Sequence, residues 1–115
     1  MDSDTHGIDA CMIYITAGSD AEARTIAKTL VIEKLVACAN IMGQVHSIYT
    51  WKGAMEETQE VVLIAKTRRA LAEVVIARVK ALHSYEVPSI AVYDMAAGYG
   101  PFLNWIGAET LKTSD

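Results

Sequence analysis

The chain is poor in the residues that staple or break small folds. It has two cysteines, two prolines and a single phenylalanine in 115 residues. Cys11 and Cys38 show neither CxxC nor metal-finger spacing, which excludes a disulfide framework and a closed zinc finger and fits reduced thiols in a cytoplasm. Two prolines and seven glycines leave little room for linkers. No uninterrupted apolar stretch approaches the ~18 residues of a membrane span. Basic residues are outnumbered, with Lys and Arg at 10 against 14 Asp and Glu, a formal charge of −4 and a pI near 5.3. That balance argues against nucleic acid, whose phosphates demand a basic face. The N-terminal MDSDTHGID is acidic and polar, without a charged-then-apolar leader, and residues 1–9 are expected to form a disordered tail ahead of one domain over 10–115. Signatures of catalysis are also missing: no G-x-S-x-G, no phosphate-binding glycine loop and no dinucleotide fingerprint. The expectation is a protein that is not an enzyme.

Hydrophobic residues nevertheless make up 52% of the chain. That share lies above an average globular domain even after allowance for how tyrosine and glycine are counted, and it fits an apolar subunit interface. The pattern is dominated by Gln44 to Thr67, which reads as two strands folded back at Lys52-Gly53-Ala54. Each arm holds about ten residues, against ~5–6 in a usual strand. So long a hairpin should overhang a small domain and leave edges that need pairing.

The remaining elements follow in order. Ala10 to Ala17 is a nearly unbroken apolar run, a strand buried on both faces. Ser19-x-x-Glu22 has the form of a capping box, opening a helix from Asp20 to Leu35 with an apolar stripe of Ile26, Leu30, Val31 and Leu35. Val36 to Met42 is strand-like, and Gly43 marks a bulge or bend before the hairpin. Leu71, Val74, Val75, Val79 and Leu82 outline a second helix ending near His83. Pro88 holds Val87 extended, Ser89 to Ala96 is the last strand, and Pro101 opens a short helix with Phe102, Trp105 and Ile106 as its apolar face. The order β-α-β-β-α-β is that of an α+β, ferredoxin-like fold with helices on one face of an antiparallel sheet. The other face has only the terminal helix to cover it. Self-association is expected.

Chemistry-bearing residues concentrate in His83-Ser84-Tyr85-Glu86-Val87-Pro88, a loop between helix and strand. Cys38 adds a thiol if the topology brings it near, and Cys with His suits Cu(I) or Zn(II). The plainer alternatives are a structural thiol and a histidine that favours a helix C-terminus. The five methionines are scattered and read as core filler, and Trp51 and Trp105 as packing anchors. Lys66, ending an apolar strand, either snorkels to the surface or meets an anion or carboxylate.

Five segments in this order, LVACANI, SIYTWKG, EVVLIAK, HSYEVPSI and FLNW, resemble the CutA family of divalent-cation tolerance proteins. The resemblance covers Met12 to Ala108. It implies a ferredoxin-like subunit in a tight homotrimer similar in architecture to PII signalling proteins, with strands of neighbouring subunits joined edge to edge. It also implies a role in tolerance of copper and other divalent cations. By the same resemblance, Cys38, His83 and Glu86 are candidate metal ligands, and Trp51, Glu60, Lys66 and Tyr85 line a ligand-binding cleft near the subunit interface. Two positions depart from the family pattern: Ser84 replaces its usual Pro and Ser89 its usual Glu. The second departure removes one potential anionic ligand. The alternative reading is a PII-like adaptor trimer whose cleft takes a small anionic metabolite or a protein partner without metal.

Overall fold

The computed structural model describes residues 8–112, so most of the expected N-terminal tail lies outside the described residues. Its elements are β1 (Ala10–Ala17), α1 (Asp20–Ile32), β2 (Cys38–Trp51), β3 (Ala54–Arg68), a single 3-10 turn (Arg69–Leu71) running into α2 (Ala72–Leu82), β4 (Ile90–Asp94) and α3 (Gly100–Ala108). The four strands form one antiparallel sheet in the order β2-β3-β1-β4, the ferredoxin-like arrangement. Along β1 and β3, Cys11, Ile13, Ile15, Leu63 and Ala65 turn to one side, where they pack with Ile26, Leu30, Val75 and Val79 of α1 and α2. Burying each large aliphatic side chain contributes about 1.5–3 kcal/mol. Strand alternation sends Met12, Tyr14, Val62, Ile64 and Lys66 to the opposite face.

The hairpin forms as the pattern predicts. β2 is a continuous 14-residue strand whose register shifts between Met42 and Gln44, so Gly43 is the expected bulge. Lys52 and Gly53 have φ of 51° and 84°, a two-residue turn with both φ positive that matches the twist of its strands. Beyond Val61, the last residue paired with β1, β3 runs on to Ala54 with only β2 beside it. The described chain accordingly measures 50 × 27 × 25 Å.

Four local expectations are corrected. The first helix ends at Ile32 rather than Leu35, because Lys34 adopts φ 60°. Lys34 N–H then bonds to Val31 O and Leu35 N–H to Leu30 O, both at 3.0 Å, a Schellman closure built without glycine. Val31 and Val74 belong to neither buried stripe, being 41% and 48% exposed; Ala23, Ala27 and Ala72 take those places. The third correction concerns α3, which buries Leu103, Ile106 and Gly107 and leaves Phe102 and Trp105 stacked on each other outside, 6.0 Å apart. Gly107 allows that approach, since a Cβ there would lie 3.0 Å from Ile8. Arg68 fastens the helix end, donating to Gly107 O and, at 3.0 Å, to Thr110 Oγ1. The last strand is also shorter than expected, Ile90–Asp94.

The corrected stripe on α1 is testable by urea unfolding. Leu30→Ala should cost about 2–5 kcal/mol by emptying a packed site, while Val31→Ala next to it should stay within about 0.5 kcal/mol.

Candidate functional site

At Ala17 the first strand ends, and Gly18 and Ser19 lead into α1. Ser19 Oγ accepts the Glu22 N–H at 3.1 Å, and the Glu22 carboxylate reaches back to Gly18 N–H at 3.0 Å. This is the capping box, displaced by one residue from its usual reciprocal partner. The other oxygen of Glu22 accepts Ser84 N–H at 2.7 Å and lies 3.6 Å from His83 Nδ1. One carboxylate therefore joins the start of α1 to the exit of α2. Burial pushes the Glu22 carboxyl up, but the hydrogen bonds from Ser84 and Gly18, with His83 alongside, outweigh it and hold the group below its ordinary value.

His83 closes α2 through its own N–H to Val79 O at 2.9 Å, and its side chain is fully buried. Nε2 donates to Thr16 O at 2.7 Å, and Nδ1 accepts Tyr85 N–H at 3.1 Å. These partners place the ring proton on Nε2 and occupy both nitrogens. The Tyr85 ring lies 4.5 Å from the imidazole, and its hydroxyl donates to Glu60 Oε2 at 2.8 Å. Burial, reinforced by the bond to Glu60, raises the phenol well above its ordinary value. Nearby, Tyr49 and Thr58 share a hydroxyl contact at 3.4 Å.

The structure thus brings together His83, Tyr85 and Glu60 from the candidate set and adds Glu22. It separates the others within one chain. Cys38 stands opposite Lys66 across the β2–β3 ladder, whereas His83 meets β1 at Thr16, which pairs with Val62. Those positions are four residue steps apart along β3, about 13 Å. Glu86 is turned outward, 3.7 Å from Lys52 at the hairpin tip, and Lys52 also sits 5.5 Å over the Trp51 ring. Lys66 Nζ donates to Asn40 Oδ1. Among the described residues no group of three or more His, Cys, Asp or Glu side chains is placed to hold a metal. Cys38, His83 and Glu86 of a single chain do not fit one ion. A cavity of about 350 Å³ opens beside the bulge, between Gly18–Asp20 and Ile41–Gln44, and none of the candidate ligands lines it. The second thiol, Cys11, lies in the core with its pKa raised by burial, so it is inert.

The profile of the CutA1 divalent ion tolerance protein family matches residues 11–109. The chain belongs to that family. A divalent-cation tolerance protein CutA of Thermus thermophilus is 43% identical over 99 residues, covering 86% of this chain and 96% of the relative. A CutA homolog of Xenopus laevis is 40% identical over 94 residues, and there the match covers 82% of this chain but only 62% of the longer animal protein. The solved structure of CutA from Archaeoglobus fulgidus, described as periplasmic, superposes with a TM-score of 0.84 at 41% identity over 87% of this chain and 97% of that one. Glu22 is the residue of the candidate site that sequence reading missed. It was visible only as half of a capping box.

Acid should loosen the site through Glu22. Because the folded-state pKa is depressed, its contribution to stability is complete above the unfolded value near 4.5 and is lost as pH falls through the lower folded value. Urea unfolding between pH 6 and pH 3 should show a shallower acid-side decline in Glu22→Gln than in the parent protein.

Proposed function

We propose that the protein is a homotrimeric divalent-cation tolerance factor of the cytoplasm, without enzymatic activity, that takes a divalent ion, copper foremost, in a cleft between subunits. The observation that carries this reading is the uncovered hairpin and sheet face. Tyr49 and Trp51 are exposed on that face, Ile48 and Met55 are 62% and 71% exposed on the other side of the ribbon, and α3 covers only one end of the open face. An overhanging ribbon with open edges and apolar side chains is stabilised by pairing with a second copy. The family names supply divalent-cation tolerance. Since Cys38, His83 and Glu86 do not converge in one chain, the reading requires the ion's donors to come from more than one subunit. The soft sulfur donor of Cys38 is what suits copper. Commitment of both His83 nitrogens to Thr16 and Tyr85 disfavours a general base and supports the non-enzymatic part.

The same commitment favours one rival, a PII-like adaptor whose cleft binds a small anionic metabolite or a protein partner without metal, with Lys66 as the cation. Among the described residues no helix is long and apolar enough to cross a membrane, and neither reading calls for one.

Light scattering at micromolar concentration should return the mass of three chains; a monomer would sink the shared cleft. Calorimetric titration of metal-free protein with copper and zinc should show about one ion per subunit, lost in Cys38→Ala and in His83→Ala. No binding above a control protein would favour the adaptor.

A further inference from the structure

The segment from Ser84 to Ser89 is held by side chains rather than by its own backbone. Among the described residues, its backbone–backbone hydrogen bonds reduce to one long contact, Thr16 N–H to Ser89 O at 3.4 Å. Three side-chain bonds supply the rest: Glu22 Oε2 accepts Ser84 N–H, His83 Nδ1 accepts Tyr85 N–H, and Glu60 accepts the Tyr85 hydroxyl. The ion pair of Glu86 with Lys52 is exposed on both sides and adds little. Ser84, Glu86, Val87 and Ser89 face solvent. Few backbone hydrogen bonds and few buried side chains mark the segments of a protein that open without global unfolding.

Beneath two of those bonds lie two electron-pair donors. The His83 side chain is fully buried, that of Glu22 is 17% exposed, and Nδ1 and Oε2 are 3.6 Å apart. Two ligands of one tetrahedral divalent ion, with bonds of about 2.0–2.2 Å, stand roughly 3.4 Å from each other. The pair therefore already has the spacing of a chelate. Its outer contacts match as well. Nε2–H is given to the Thr16 carbonyl, the kind of contact that braces a metal-ligating imidazole and leaves the other nitrogen as the ligand. The second oxygen of Glu22 is fixed on Gly18 N–H. A neutral imidazole beside a carboxylate suits a borderline divalent cation such as zinc or copper.

We infer that His83 Nδ1 and Glu22 Oε2 are a divalent-cation pair closed by the Ser84 and Tyr85 amides, with residues 84–89 as the lid that lifts when an ion enters. This rests on the divalent-cation reading and deepens it by naming a ligand, Glu22, and a gate. In the closed position both amides point their N–H dipoles at the pair, so a cation is repelled until they turn away. An ion that binds only the open form has its apparent affinity reduced by the fraction of chains that are open. Lifting the lid also gives up the bond between Tyr85 and Glu60. That phenol therefore tunes the affinity without touching the ion. Two protein donors leave the remaining coordination positions to water or to other groups.

The test is calorimetric titration of the metal-free full chain, Glu22→Gln and Tyr85→Phe with zinc and with copper. Amide hydrogen exchange across residues 84–89 is read by mass spectrometry before and after zinc. Glu22→Gln should weaken zinc binding roughly tenfold or more through loss of a ligand. Tyr85→Phe should tighten it several-fold by loosening the lid. A purely structural role for the two residues would move both variants in the same direction. Zinc should also speed exchange of the Ser84 and Tyr85 amides, against the usual protection on binding. Zinc binding that leaves those amides as protected as before, or a Glu22→Gln chain that binds like the parent, overturns the pair and leaves the divalent-cation reading standing. A parent protein that binds neither ion overturns both. Where a variant loses its native far-ultraviolet circular dichroism, the exchange measurement on the parent decides.

Discussion

Everything at the candidate site depends on where one carboxylate is held. Gly18 N–H lies past the end of β1 and Ser84 N–H past the end of α2, so neither has a ladder or helix partner. Glu22 accepts both and so ties the two element ends together through one side chain. The loop after α2 is thereby fixed against the end of β1. With that loop fixed, His83 reaches the Thr16 carbonyl, Tyr85 turns back onto the imidazole, and its hydroxyl arrives at Glu60. The geometry is a chain of dependencies that starts at the first turn of α1.

Much of this fold can be read from residue type and spacing. β1 matches its apolar run residue for residue, and the bulge at Gly43 and the turn at Lys52-Gly53 stand where glycine and the strand pattern put them. The misreadings share a cause. Large apolar residues attract the eye, yet small ones decide which face packs: alanines at 23, 27 and 72 displace Val31 and Val74, and Gly107 draws Leu103 and Ile106 inward while Phe102 and Trp105 stay out. The end of α1 was illegible because its left-handed residue is Lys34, which carries no sequence signal for that role.

The site was legible in part. His83 and Tyr85 stand out by density of chemistry in one loop, and Glu60 through family resemblance. Glu86 is adjacent to Tyr85 in sequence but points to Lys52, because the chain bends at both residues. Glu22 was hidden since a capping residue and a tether look alike until the α2 exit is placed in space.

The separation of Cys38 from His83 and the burial of Glu60 are the same problem seen from two ends of the open sheet face. A chain that folded only for itself would gain nothing from a 14-residue edge strand, a stretch of β3 paired on one side only and a buried carboxylate without a cation. Each is a deficit in the monomer that a neighbouring copy can fill. If the ion is held by groups from two subunits, binding and assembly are thermodynamically linked: a ligand that binds only the assembled form stabilises that form by mass action. Metal would then tighten the assembly, and dilution would weaken metal affinity.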